Sequence, residues 1–211
     1  LAKPGRDIYT TLDLERQDVA EDALMRALQH HAADHGCVVL MEVKTGRIKA
    51  IANLGLIKDS TYGEILNYAV GEASEPGSTF KLATAAALIE DGLVDNSSLV
   101  FVGDGKFAVR NRVIADHDKP ESAEITFQRA FEVSSNVAMA ALADKHYNAF
   151  KEKLYKHFEN FGFTKAIDVE LPGAATPLLR DVKQWSGVSA AYLAHGYELA
   201  ITPLHTLMFY N

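Results

Sequence analysis

Glu75-Pro76-Gly77-Ser78-Thr79-Phe80-Lys81-Leu82-Ala83-Thr84-Ala85-Ala86-Ala87-Leu88-Ile89 opens with a turn pair and runs on into residues that are apolar on nearly every side. A helix apolar around most of its circumference belongs in the centre of a domain, so a buried helix is predicted over residues 78–89, ended by Gly92. Its one charge between Ser78 and Ile89 is Lys81. Pro76-Gly77 sets the entry turn and places Ser78 in the first helical turn, where free N–H groups and the helix dipole favour a developing oxyanion. Ser78 and Lys81, three positions apart, share a helix face, so their side chains can meet. A serine is a poor nucleophile until a base takes its proton, and a lysine serves as that base only when burial lowers its pKa. The competing reading makes Ser78 an N-cap and Lys81 a solvated residue. That reading needs a polar stripe, which this helix hardly has.

Working outward, Ser134-Ser135-Asn136 interrupts two further helical stretches, predicted over Ile125 to Glu132 and Val137 to His146. Plain helix capping accounts for such a cluster when it stands alone. Beside a serine–lysine pair it gains a second reading. The hydroxyl of Ser134 relays a proton to a leaving amine, and the amide of Asn136 binds a substrate carbonyl while contacting Lys81.

Glu75-Pro76-Gly77-Ser78-Thr79-Phe80-Lys81 followed by Val133-Ser134-Ser135-Asn136-Val137 resembles the penicillin-binding protein and serine β-lactamase superfamily. The flanks are similar to the monofunctional class B transpeptidases, with the flavour of the division-specific peptidoglycan enzyme in the form typical of Bacteroidetes-like bacteria. They are Gly5-Arg6-Asp7-Ile8-Tyr9-Thr10-Thr11-Leu12-Asp13, the run Met41 to Ala50, Asn67-Tyr68-Ala69-Val70 and Gly196-Tyr197-Glu198-Leu199-Ala200-Ile201-Thr202-Pro203-Leu204.

The resemblance implies an α+β, β-lactamase/transpeptidase-like fold: a helical region plus part of a central antiparallel sheet, its C-terminal strands missing. Residues 1–211 would form a single, partial transpeptidase domain. It also implies the reaction. Ser78 takes the acyl group of the penultimate D-Ala of a peptidoglycan stem peptide, the terminal D-Ala leaves, and an amine of a neighbouring stem then receives the acyl group. β-Lactams mimic the donor. The catalytic set is Ser78, Lys81, Ser134 and Asn136, with no cofactor and no metal. Implied partners are stem peptides, β-lactams and other cell-wall or division proteins. The implied location is the periplasmic face of the bacterial inner membrane, reached through an anchor absent from this chain.

One departure stands out. The family's third motif, Lys-Thr/Ser-Gly on a later strand, should follow Ser134-Ser135-Asn136, and no such tripeptide does. Lys44-Thr45-Gly46 spells it but precedes the nucleophile, in a predicted hairpin turn where glycine supplies turn geometry, and is read as a coincidence. The sequence starts at Leu1 and stops at Asn211 inside a helix-like segment opened by Thr202-Pro203, so both ends are read as cuts. A chain lacking the later strands would react slowly with penicillin. It would also expose an unpaired strand edge beside Val38, Leu40 and Val43, through which it would self-associate.

Bulk properties agree with an ordinary folded domain and narrow the partners. Apolar residues make up 48% and charged residues 23%, near the average for globular proteins, so the chain should fold. A net charge of −7 without a basic run argues against nucleic acid as the main partner. The single cysteine, Cys37, lies in an apolar run as a small hydrophobe. Asp13 N-caps a helix with Ala20, Ala23, Leu24, Ala27 and Leu28 on its apolar face. Cys37 to Val43 and Ile48 to Ala52 read as a hairpin, residues 53–76 as a long polar connection, and residues 103–120 as surface loops with short strands. A helix from Phe150 to Phe161 carries Lys151, Lys153 and Lys156 on its wet face, and His31 and His35 read as a solvated helix end rather than metal ligands. Two competing functions remain: a serine β-lactamase or carboxypeptidase, which passes the acyl group to water, and a non-catalytic β-lactam sensor or scaffold.

Overall fold

Asp13 caps α1 (Leu14–His31) by accepting from the Arg16 N–H, and Ala20, Leu24 and Leu28 form the buried stripe of that helix. The computed structural model describes Gly5 and residues 7–211, so Arg6 lies outside the described residues. The stripe packs on the sheet formed by β1 (His35–Met41) and β2 (Ile48–Lys58), against Ala50, Ala52 and Leu54. The two strands pair antiparallel from His35↔Gly55 to Met41↔Ile48. Their connection closes where the Glu42 carbonyl accepts from the N–H groups of Thr45 and Gly46. Lys44 is exposed there and makes no hydrogen bond or ion pair among the described residues.

The polar connection expected over residues 53–76 is not what forms. β2 continues to Lys58, turns at Asp59-Ser60 and returns as β3 (Thr61–Gly63), giving a three-stranded sheet in the order β1-β2-β3. Both turn residues have positive φ, 45° and 65°, as a two-residue hairpin turn demands. Asp-Ser in place of the usual Asn-Gly hides that demand from a sequence reading. Asn53, read as the start of the connection, is buried, and its Oδ1 accepts from the Ala69 N–H of α2 (Tyr68–Gly71) at 3.0 Å. β1 is left as an edge strand, with Leu40 and Val43 exposed.

The second and larger core surrounds the central helix. A 3-10 turn, Gly77–Phe80, leads into α3 (Lys81–Glu90), so the expected single helix from Ser78 divides in two. Ala83, Ala85, Ala87 and Leu88 of α3 are buried. β4 (Leu99–Phe101) follows, then a hairpin of β5 (Lys106–Val109) and β6 (Arg112–Ala115). β7 (Glu124–Thr126) pairs with β4, which takes the first two residues of the helix expected from Ile125; α4 (Phe127–Glu132) starts after Thr126, whose side chain caps it. α5 (Asn136–Tyr147) and α6 (Lys151–Asn160) complete the helical layer. Phe80 inserts between Phe158 and Phe163, with ring centroids 4.9 Å from each.

Two of the three lysines assigned to the wet face of α6 reach other elements instead. Lys151 donates to the Trp185 carbonyl at 2.9 Å and Lys153 pairs with Asp91 at 3.0 Å, because a long side chain at a helix edge can bridge to its neighbour.

The chain closes with β8 (Leu178–Leu179), α7 (Ser189–Leu193), β9 (Leu199–Ala200) paired to β8, and α8 (Pro203–Tyr210), which Thr202 and His205 cap reciprocally. The β5–β6 hairpin sits on α5 and α7: Val109 and Ile114 pack against Ala140 and Ala191. That contact brings the end of β6 to the start of α5.

Candidate active site

Ser78 stands on a turn in the left-handed conformation that glycine adopts most readily. Gly77 has φ +56°, and its N–H donates to the Gly196 carbonyl at 3.1 Å. Gly196, at φ +87°, lies so close that a Cβ there would sit 2.0 Å from the Gly77 carbonyl oxygen. The segment after Gly196 continues the contact: Ser74 and Ile201 form a β-bridge, and the Glu198 N–H donates to the Glu75 carboxylate at 3.1 Å. The nucleophile candidate is therefore fixed by residues 196–201.

Within the 3-10 turn the Lys81 N–H donates to the Ser78 carbonyl. A 3-10 helix has three residues per turn, so Ser78 and Lys81 eclipse, about 6 Å apart along the axis. Ser78 is exposed and its N–H meets no acceptor among the described residues. Lys81 is 2% exposed. Its Nζ donates to the backbone carbonyl of Ser134 and, at 2.9 Å, to the Ser134 Oγ. Burial pushes the Lys81 amine down to about 8, while the nearby Asp116 carboxylate opposes the fall. No hydrogen bond joins the side chains of Ser78 and Lys81, and the expected contact between Lys81 and Asn136 is absent.

The three residues of the second cluster part company. Ser135 is the helix cap: its Oγ accepts from the Ala138 N–H at 3.0 Å. Ser134, just outside the helix, has φ +55° and so turns both its carbonyl and its hydroxyl to Lys81. Asn136 begins α5 and donates through Nδ2 to the Ala115 carbonyl at 3.0 Å, in place of Lys81. The end of β6 supplies the acceptor that Asn136 takes, while Lys81 is taken by Ser134.

Two residues that sequence reasoning passed over belong to this neighbourhood. Asp116 accepts from the Ser135 Oγ at 2.9 Å and from the Val137 N–H at 2.9 Å. Its place in a loop rich in charge gave no signal, since the partner serine is 19 residues away. His195 is buried; its Nδ1–H donates to the Tyr192 carbonyl at 2.8 Å, and its ring packs against Tyr192 and Tyr197. Burial lowers the imidazole below its ordinary value, and Lys81 adds to that. A histidine inside a Gly-flanked turn carries no motif, so nothing in the sequence marked it.

The other polar candidates go elsewhere. His35 pairs with Glu72 at 2.8 Å and stacks on Tyr68, and among the described residues no cluster of His, Cys, Asp and Glu is arranged to hold a metal ion. Cys37 is a half-buried free thiol on β1.

The arrangement is an exposed hydroxyl, one eclipsed turn from a buried amine of lowered basicity, which a second hydroxyl touches. Such a set can pass a proton from one hydroxyl to another through nitrogen. Residues 36–211 match the model of the penicillin binding protein transpeptidase domain. Penicillin-binding protein PbpB of Mycolicibacterium smegmatis is 29% identical over 100% of this chain and 33% of its own length. The probable peptidoglycan D,D-transpeptidase PbpC of Pseudomonas aeruginosa is 25% identical over 99% of this chain and 37% of its own length. This chain thus spans about a third of the length of these relatives. The crystal structure of penicillin binding protein 3 from Mycobacterium tuberculosis complexed with ampicillin superposes with a TM-score of 0.83, at 28% identity, over 94% of this chain and 44% of that one.

Proposed function

The chain belongs to the penicillin-binding protein transpeptidase domain family, and we propose that it carries the acylating centre of a peptidoglycan D,D-transpeptidase of the class B, division type. The observation that carries this reading is the buried Lys81 ammonium site, closed by the carbonyl and hydroxyl of Ser134 one turn after an exposed serine.

In this reading neutral Lys81 takes the proton as Ser78 Oγ attacks the carbonyl of the penultimate D-Ala. The free Ser78 N–H is one donor to the oxyanion. The proton then passes through Ser134 to the leaving nitrogen, the amide bond to the terminal D-Ala breaks, and the acyl group remains on Ser78. An amine of a neighbouring stem attacks the ester and forms the new amide. Its proton returns to Ser78 by the same path. Asn136 keeps one amide hydrogen and its oxygen beyond the Ala115 contact, enough to orient the donor backbone. The substrate places the work at the periplasmic face of the inner membrane. No described helix is long and apolar enough to cross a membrane.

The test uses the full-length polypeptide, a stem peptide ending in D-Ala-D-Ala, an amine acceptor and, separately, a fluorescent penicillin. Cross-linked product with release of D-Ala, and a lasting penicillin adduct, are expected. Turnover of the penicillin would make the protein a β-lactamase instead, and absence of both adduct and product would make it a non-catalytic relative. We also propose that the 211-residue polypeptide alone self-associates through the open edge of β1. Light scattering at the monomer mass would reject this.

A further inference from the structure

Ser134 holds a backbone conformation that L-residues avoid, and its own side chain makes one contact there, accepting from Lys81 Nζ at 2.9 Å. Its φ of +55° is kept by what surrounds it. The Ser134 N–H donates to Phe131 O at 3.0 Å and the Ser135 N–H to Ala130 O at 2.8 Å, which end α4 in the ordinary way. The far side of the turn is held by two consecutive residues from another element. The Ala115 carbonyl takes the Asn136 amide at 3.0 Å. The Asp116 carboxylate takes the Ser135 hydroxyl, 2.9 Å from one oxygen and 3.1 Å from the other, and the Val137 N–H at 2.9 Å. Asp116 is itself fixed, its N–H donating to the Gly105 carbonyl at 2.9 Å, and the hairpin that delivers it is packed on α5 and α7.

We propose that Asp116 is a positioning residue for the acyl transfer assigned above: it locks the Ser134 turn so that the carbonyl and hydroxyl of Ser134 stay on Lys81, and its charge acts on the proton held there. The inference rests on the proposed acylation at Ser78, although its geometric half does not. Asp116 touches neither Ser78 nor Lys81 by hydrogen bond; it acts through Ser135 and Val137 and through its field. A helix cap alone would not need this carboxylate, because Ser135 already caps α5 through the Ala138 N–H. The titratable group that acts on Lys81 is Asp116; His195, which feels Lys81 in turn, is driven toward its neutral form first by its own burial. Burial is the larger influence on Lys81, and Asp116 is the negative charge that opposes it. Without that charge Lys81 loses its proton at lower pH.

The test compares Asp116→Asn and Asp116→Ala with wild type in the full-length polypeptide, following the rate of acylation by a penicillin from pH 5.5 to 10, together with hydrogen exchange over residues 134–138. Asparagine still offers an oxygen to the Val137 N–H, so that variant should fold. Its rising limb of rate against pH is expected to move to lower pH, with a plateau about tenfold below wild type. Alanine frees the turn, and misplacement of this kind costs about 10²-fold. Exchange at the Val137 and Ala138 amides should quicken in the alanine variant whether or not any adduct forms. A pH profile for Asp116→Asn that superimposes on wild type would overturn the electrostatic half. Unchanged exchange in Asp116→Ala would overturn the positioning half. A wild type that exchanges as expected but never acylates would instead sink the transpeptidase reading.

Discussion

The turn at Ser78 and the turn at Ser134 meet across Lys81, but they are held by different means. Backbone holds the first: Gly77 and Gly196 in left-handed conformations, one N–H to carbonyl bond between them, and a β-bridge from Ser74 to Ile201. Side chains hold the second: the Ser135 hydroxyl and the Asn136 amide at the start of α5 meet the Asp116 carboxylate and the Ala115 carbonyl, which a hairpin delivers from outside. The Ser78 turn is thus rigid by shape, and the Ser134 turn by polar contacts that a single atom can remove. Substitutions should strike the two in different ways.

The largest effect belongs to the group between them. Lys81→Met keeps the buried volume and removes the base, so acylation of Ser78 should fall by about 10²–10⁴-fold with little change in thermal midpoint. A fall under tenfold would mean that another group takes the proton. In the wild type the amine titrates at about 8 and must be neutral to act. Acylation should therefore rise with pH, by about tenfold per unit well below 8, and level off above it. A rate already flat from pH 6 would remove Lys81 from the role of base.

Within the backbone-held turn, the two glycines are predicted to be unequal. Gly196→Ala drives a methyl into the Gly77 carbonyl and should cost about 3 kcal/mol or more. A Cβ at Gly77 meets open space, so Gly77→Ala bears only the left-handed penalty, about 1 kcal/mol. Thermal denaturation decides the order, and equal losses would contradict the close approach of the two segments.

Within the side-chain-held turn the adjacent serines should separate stability from rate. Ser135→Ala removes a cap and a partner of Asp116, at about 1–2 kcal/mol. Ser134→Gly relieves an exposed left-handed residue and should stabilise by up to about 1 kcal/mol, yet slow acylation because the hydroxyl on Lys81 is gone. If Ser134→Gly destabilises, the strain assigned to that residue is misplaced.

The same contrast explains what was legible in the sequence. Pro76-Gly77, the serine–lysine spacing and the all-round apolar run are local, and they foretold a buried central helix with Lys81 inside it. Their local character also set the limit, since the 3-10 turn that eclipses Ser78 over Lys81 has no separate signature. The Ser134 turn depends on Asp116 and Ala115, brought from 19 to 21 residues away by packing of the β5–β6 hairpin, and no spacing rule reports that. It led to the assignment of Asn136 to Lys81, where the structure gives it to Ala115. The strand β3 was missed for a related reason: Asp59-Ser60 takes up a glycine-type turn that the residue types do not announce.

The central claim is that Ser78 is the acyl acceptor. Digesting the penicillin-treated full-length polypeptide and sequencing its peptides by mass spectrometry tests it most directly. The account predicts one adduct, on the peptide that contains Ser78, lost in Ser78→Ala. An adduct on Ser134 or on any other residue, or one that persists in Ser78→Ala, would contradict it.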